Sequence, residues 1–301
     1  MKKRYDVAFT DDFKNHFLST DKLKDKREIL EDIEESVWWI TANLMDLERK
    51  EPIGTPELET IAKKVEQSHP ESLEFAKAII EYINLDIKIL SRYIALRTRD
   101  LGDALIREAN ANNFLACAII TRSLLETSAF ANYCCKEICR YHAMGPLGAE
   151  PSKELRRTLR KLRYGTKIDW VALLFQKRTV EDLKGLVREE GWKLREKVYD
   201  PYRIGKDKIV EELDKSCLEK GLTQVEGEIL FHYSILCDML HPNFGGHFLF
   251  MGKSGRLSMQ HSDVRWISAI VILPAANLLR STMLSLQELE KYRFDISKTS
   301  P

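Results

Sequence analysis

Apolar residues spaced three and four apart recur along this chain for many turns, and glycine and proline rarely interrupt them. Leu30, Ile33, Val37, Ile40, Leu44 and Leu47 follow one another at intervals of 3, 4, 3, 4 and 3. Residues so spaced fall on one side of a helix of 3.6 residues per turn, so this stretch has a face that must be buried. Leu73, Ala76, Ile80, Ile83, Ile87, Leu90 and Ile94 repeat the pattern. Only 14 Gly and 9 Pro punctuate the 301 residues, so the elements between breaks are long. These features predict an all-α fold, a bundle of long antiparallel helices with wide apolar stripes.

The breaks divide the chain. Thr20 or Asp21 caps the first long helix, and Pro52 and Gly54 end it. Thr55, Pro56, Glu57 and Glu59 read as the start of a short helix. A second long helix is expected from about residue 70 to 110, with Gly102 as a candidate kink and Asn110, Asn112 and Asn113 as a turn. Residues 114–144 carry few charges and read as the central, most buried helix. Gly145-Pro146-Leu147-Gly148-Ala149-Glu150-Pro151 is the clearest interruption. The expected organisation is therefore an N-terminal part of the bundle at 1–150, a charged helical insertion at 151–221, and C-terminal helices at 222–301 that complete the same bundle. Within the last part, a helix covers 223–240, a small β-hairpin covers 247–260 around Gly252-Lys253-Ser254-Gly255, and a final helix runs from Ser262 and Asp263 to about 292.

Composition narrows the function classes. A net charge of +1 gives no global sign of a nucleic-acid or anionic-membrane partner, so any such sign must be local. Lys2, Lys3 and Arg4 lead into no apolar run, which argues against a secretory signal. The most apolar stretch, 267–279, is too short to span a bilayer. Four of the six cysteines, Cys117, Cys134, Cys135 and Cys139, share one expected helix, where neighbouring Cβ directions fit disulfides poorly. Thiols in a reducing, cytoplasmic setting are the simpler reading.

Two polar constellations stand out against this apolar background. Arg122 and Glu126 are one turn apart on the central helix. Arg before Glu is the less favourable order for a local helix pair, so both need partners from elsewhere in the fold. Tyr233, Cys237 and His241 form a stripe at i, i+4 and i+8, with His241 at the helix end where the dipole favours an imidazolium. If the two helices pack, Arg122, Glu126, Tyr233 and His241 join in one cluster, either a register-fixing network or a site. A third feature is basic. Lys153, Arg156, Arg157, Arg160, Lys161 and Arg163 recur at helical spacing beside a stripe of Leu155, Leu159 and Leu162. That cationic face suits phosphates, or else is a solvated face balanced by acidic neighbours. Cys135, Cys139 and His142 lie at i, i+4 and i+7, but no CxxC pair or HExxH completes a zinc set. No metal and no cofactor are expected.

The Arg122-x-Leu124-x-Glu126 segment, followed by Tyr233, Leu236, His241 and Pro242 at a helix end, resembles uncharacterised prokaryotic all-helical families that are similar to the HEPN superfamily. The resemblance covers roughly residues 70–145 and 223–290. It implies a helical, often dimeric protein, in many members a metal-independent ribonuclease of toxin–antitoxin, abortive-infection or CRISPR-linked systems. The family hallmark is an Arg followed by a His four to six residues on, along one helix. Here the matching pair, Arg256 and His261, falls in the expected hairpin, where residues five apart point to opposite faces, and it reads as a chance match. A split site remains chemically sufficient: His241 as acid or base, Arg122 holding the phosphate, Tyr233 orienting either. The expectation is an HEPN-like, defence- or toxin-associated cytoplasmic homodimer that binds or cleaves RNA. The alternatives are a non-catalytic helical interaction module and, after it, a small-molecule enzyme with a pocket at Arg122 and His241.

Overall fold

The computed structural model describes residues 7–18, 27–50, most of 60–69, 72–145, 151, 152, 154, 155, 158, 159, 206–240 and 265–296. Helix accounts for 87% of them and none is in a strand, which places the protein in the all-α class. The longer helices are α1 (Asp11–Leu18), α2 (Arg27–Lys50), α3 (Leu73–Asn110), α4 (Phe114–Ala143), α5 (Lys206–Glu219), α6 (Glu228–Leu240) and α7 (Arg265–Lys291). The expected hairpin at 247–260 lies outside the described residues.

The chain divides into two compact units. The first comprises residues 1–53, 91–136 and 207–291, and the second comprises 54–90, 137–206 and 292–301. The cuts fall inside α3 and α4, so the division differs from the linear one at 150 and 221.

In the first unit, the stripe on α2 is buried as its spacing requires: Leu30, Ile33, Val37 and Ile40 are fully inside. α2 packs on α7, and α1 packs on both. On α1 and just before it, Phe9, Phe13 and Phe17 stack at one-turn intervals with centroids 5.1 and 5.8 Å apart, all buried. Glu34 fastens this segment to α2 by accepting from the Phe9 N–H (2.8 Å) and pairing with Lys14 (2.9 Å). α3 runs unbroken through Gly102. That glycine is buried against Val37, and a Cβ there would overlap the valine Cγ2. Its role is close approach of two helices and not a kink.

α3 ends in a left-handed turn. Asn112 has φ 55°, the Asn113 N–H reaches back to the Glu108 carbonyl, and the Asn112 N–H to that of Ala109. This arrangement satisfies carbonyls that a helix end otherwise leaves open. The expected asparagine turn is therefore an α3–α4 reversal, and α4 begins at Phe114 as read. Behind α4, Ser128 and Thr282 share a hydroxyl contact of 2.7 Å, and each lies 2.9 Å from the Leu278 carbonyl, all buried. By length and composition α4 is long enough to cross a membrane, but 56% of its apolar window is buried inside the protein, as a core helix requires.

α6 starts at Glu228, later than the expected 223. The cause is Asp214 of α5, which is 2% exposed. Its two carboxylate oxygens accept from the Gly227 N–H (2.8 Å) and the Ile229 N–H (2.9 Å). Gly227, at φ 86°, supplies the turn that presents those donors. A carboxylate from another helix thus does the work of a local N-cap.

In the second unit, α3 is buried on several sides at Ala76, Ile79, Ile80, Ile83, Leu85 and Ile87. Asn84 clamps the segment after α7, donating to the Phe294 carbonyl (3.0 Å) and accepting from its N–H (2.9 Å). Leu155 and Leu159 are buried here, as the apolar stripe beside the basic residues requires.

Candidate functional site

Arg122 and Glu126 project from the face of α4 that α6 approaches in the first unit. Arg122 Nε lies 3.6 Å from Glu126 Oε1, with the two side chains 24% and 32% exposed. That distance is an ion pair and too long for a hydrogen bond. The Arg122 guanidinium carbon stands 6.0 Å from the centroid of the Tyr233 ring. Three of the four residues expected to cluster, Arg122, Glu126 and Tyr233, are neighbours. The fourth, His241, is the residue after α6 and lies outside the described residues. Lys153, Arg156, Arg157, Arg160, Lys161 and Arg163 lie outside them as well, as do Arg256 and His261.

Burial pushes the Tyr233 phenol above its ordinary range. Cys237, one turn on and hydrogen-bonded to it, adds to the rise, as does Glu126, while Arg122 opposes it. Tyr233 therefore stays a protonated donor, its ring turned to a cation.

Magnitudes show what this cluster does not do. A part-exposed one-turn ion pair contributes about 0.5 kcal/mol, and an exposed cation–ring contact about 0.5–1 kcal/mol. Yet Arg122 Nε is buried and makes no hydrogen bond among the described residues, which costs about 1–3 kcal/mol. Cost and gain are of similar size, so stability alone does not account for an arginine here.

Sequence reading missed other polar contacts. Arg97 Nε on α3 donates to Thr127 Oγ1 on α4 (3.1 Å), a contact across thirty residues that no local pattern encodes. His232, next to Tyr233, has a buried Nδ1 with no hydrogen bond among the described residues. Burial pulls its pKa below the ordinary 6.5, against the opposing pull of Glu228. The imidazole is thus held neutral.

In the second unit, Cys139 Sγ lies 3.2 Å from Tyr292 Oη, and the His142 ring packs against Tyr292 (5.0 Å) and Phe294 (5.6 Å). These side chains meet aromatic groups; no three or more His, Cys, Asp or Glu converge on a metal-sized site among the described residues. No disulfide joins the six cysteines, and burial pushes the Cys117 thiol up to about 12.

No protein-family model matches the sequence, and no curated protein or solved structure matches it.

Proposed function

We propose that this chain is an HEPN-like helical-bundle protein that binds RNA and cleaves it without a metal, with Arg122 as the cation that holds the phosphate. The observation that carries the reading is the Arg122 guanidinium, positioned with its Nε 3.6 Å from Glu126 and its carbon 6.0 Å from the Tyr233 ring, and with 24% of its side chain open to solvent. Such a group suits a phosphate oxygen, because guanidinium donors and charge match it in shape and sign. Cleavage then needs a base to take the proton of the 2′-hydroxyl as its oxygen attacks phosphorus, and an acid to protonate the departing 5′-oxygen. His241, which follows the last residue of α6, is proposed for one of these roles, and Tyr233 for orienting the phosphate. The basic run from Lys153 to Arg163 is proposed to track further phosphates. A cytoplasmic homodimer with a role in prokaryotic defence or a toxin system is the setting that goes with this reading.

A second reading, a non-catalytic interaction module, is favoured by large apolar side chains in solvent: Phe231 is 60% exposed, Val225 65% and Met45 64%. The two readings separate in one assay. Purified protein is incubated with RNA in excess chelator, beside Arg122→Ala and His241→Ala. The ribonuclease reading expects cleavage by the wild type and a loss of about a hundredfold or more in each folded variant. No cleavage by the wild type would leave the module.

A further inference from the structure

Arg97 stands exposed on α3, yet its guanidinium is anchored. Nε donates to Thr127 Oγ1 (3.1 Å), and that hydroxyl donates to the Ser123 carbonyl (2.7 Å). The anchor uses a neutral oxygen on an exposed residue, so the positive charge of Arg97 is not cancelled by that contact. Asp100, the nearest acidic residue in sequence, pairs instead with Arg99 at 2.7 Å. Tyr93 lies one turn before Arg97 on the same side of α3 and is 54% exposed.

Thr127 and Arg122 lie about 140° apart around α4, as five residues of a helix dictate. Between them the outer strip of α4 carries Leu115 (38% exposed), Ile119 (49% exposed) and the half-buried Ser123 and Glu126. Arg97 therefore borders this strip from α3, and Arg122 borders it on the side of α6. The Arg122 guanidinium has the Tyr233 ring 6.0 Å away, and Tyr93 lies one turn from Arg97 on α3. Glu126 is the acidic residue of the strip, and its carboxylate is turned to Arg122.

Resting on the RNA reading above, we infer that single-stranded RNA crosses the outer face of α4 from Arg97 to Arg122, with a phosphate on each guanidinium and a base stacked on Tyr93. A cation one turn from an open aromatic ring, as at Arg97 and Tyr93, suits an unpaired strand, since its phosphates and its base faces are both available. A duplex keeps its base faces stacked inside and offers nothing to Tyr93.

The test is fluorescence anisotropy with an end-labelled 2′-O-methyl oligouridylate of about 12 nucleotides, which spans a typical single-strand site and lacks the attacking hydroxyl. Wild type is compared with Arg97→Gln, Arg97→Lys, Tyr93→Ala, Arg122→Gln and Lys215→Gln, a surface cation on α5. The expected result for Arg97→Gln is about threefold or more weaker binding and a salt slope lower by about 0.7, one phosphate's share. Arg97→Lys keeps the slope. Tyr93→Ala weakens binding about fivefold or more without changing the slope. Lys215→Gln binds as wild type. If the wild type binds and Arg122→Gln weakens it, but Arg97→Gln and Tyr93→Ala bind normally, this path is wrong and the RNA reading stands. If a duplex of equal length binds as tightly and Tyr93→Ala leaves it unchanged, the single-strand assignment is wrong. If the wild type binds neither, both fall.

Discussion

His232 shows how one imidazole couples this fold to pH. Its folded pKa is lowered by burial, so the unfolded chain binds the proton more readily than the folded one. The sign follows directly: the stability it contributes is present above the unfolded pKa of about 6.5 and is lost as pH falls below that value toward the folded pKa. Denaturant unfolding at about pH 8 and about pH 5 should show a larger loss of stability on acidification for wild type than for His232→Gln. Equal losses would mean that the imidazole takes up its proton equally well in the folded and unfolded chain. Arg122 belongs to the same scale but to a different logic. Its attractive contacts and its buried Nε act in opposite directions and are of similar order. In the sequence, Arg122 and Glu126 stood out because charge is rare in that helix. His232 did not, because its burial comes from helix packing that no spacing reveals.

At the scale of elements, Gly102 is the clearest device. A helix-period stripe on α2 and another on α3 predicted that both helices bury a face, and Leu30, Ile33, Val37, Ile80, Ile83, Ile87 and Ile94 do so. Periodicity is legible because it depends only on local geometry. What it left open was why a glycine stands inside α3, and the answer lies in Val37, sixty-five residues away. Gly102→Ala gains helix propensity of about 1 kcal/mol, but the added methyl meets the valine side chain across a tight helix contact. Overpacking of this kind costs about 1–3 kcal/mol, so a net loss of up to about 2 kcal/mol in denaturant unfolding is expected. The double variant Gly102→Ala with Val37→Ala should recover part of it. A stabilised single variant would show that the helices move apart freely. The start of α6 has the same lesson. The helix was readable, but its first residue was not, because the capping carboxylate comes from Asp214 on another element.

For the whole molecule, the all-α class was legible from long uninterrupted periodicity, whereas the two spatial units were not. Each unit draws on distant segments, and α3 and α4 contribute to both, so no composition shift along the chain marks the division. The candidate site was legible to the same extent. Arg122, Glu126 and Tyr233 were readable as polar residues on helices that had to pack, and they meet in the first unit. Arg97 was unreadable, since an exposed arginine has no pattern of its own.

The central claim is that the cluster across α4 and α6 serves RNA and not the fold. Its most direct test is Arg122→Gln, with chelator-resistant RNA cleavage and denaturant unfolding measured on the same preparation. The account predicts that cleavage falls about a hundredfold or more while stability changes by no more than about 1 kcal/mol. A loss of about 3 kcal/mol or more, with no wild-type cleavage to lose, would show that Arg122 is a structural ion-pair residue and would contradict the account.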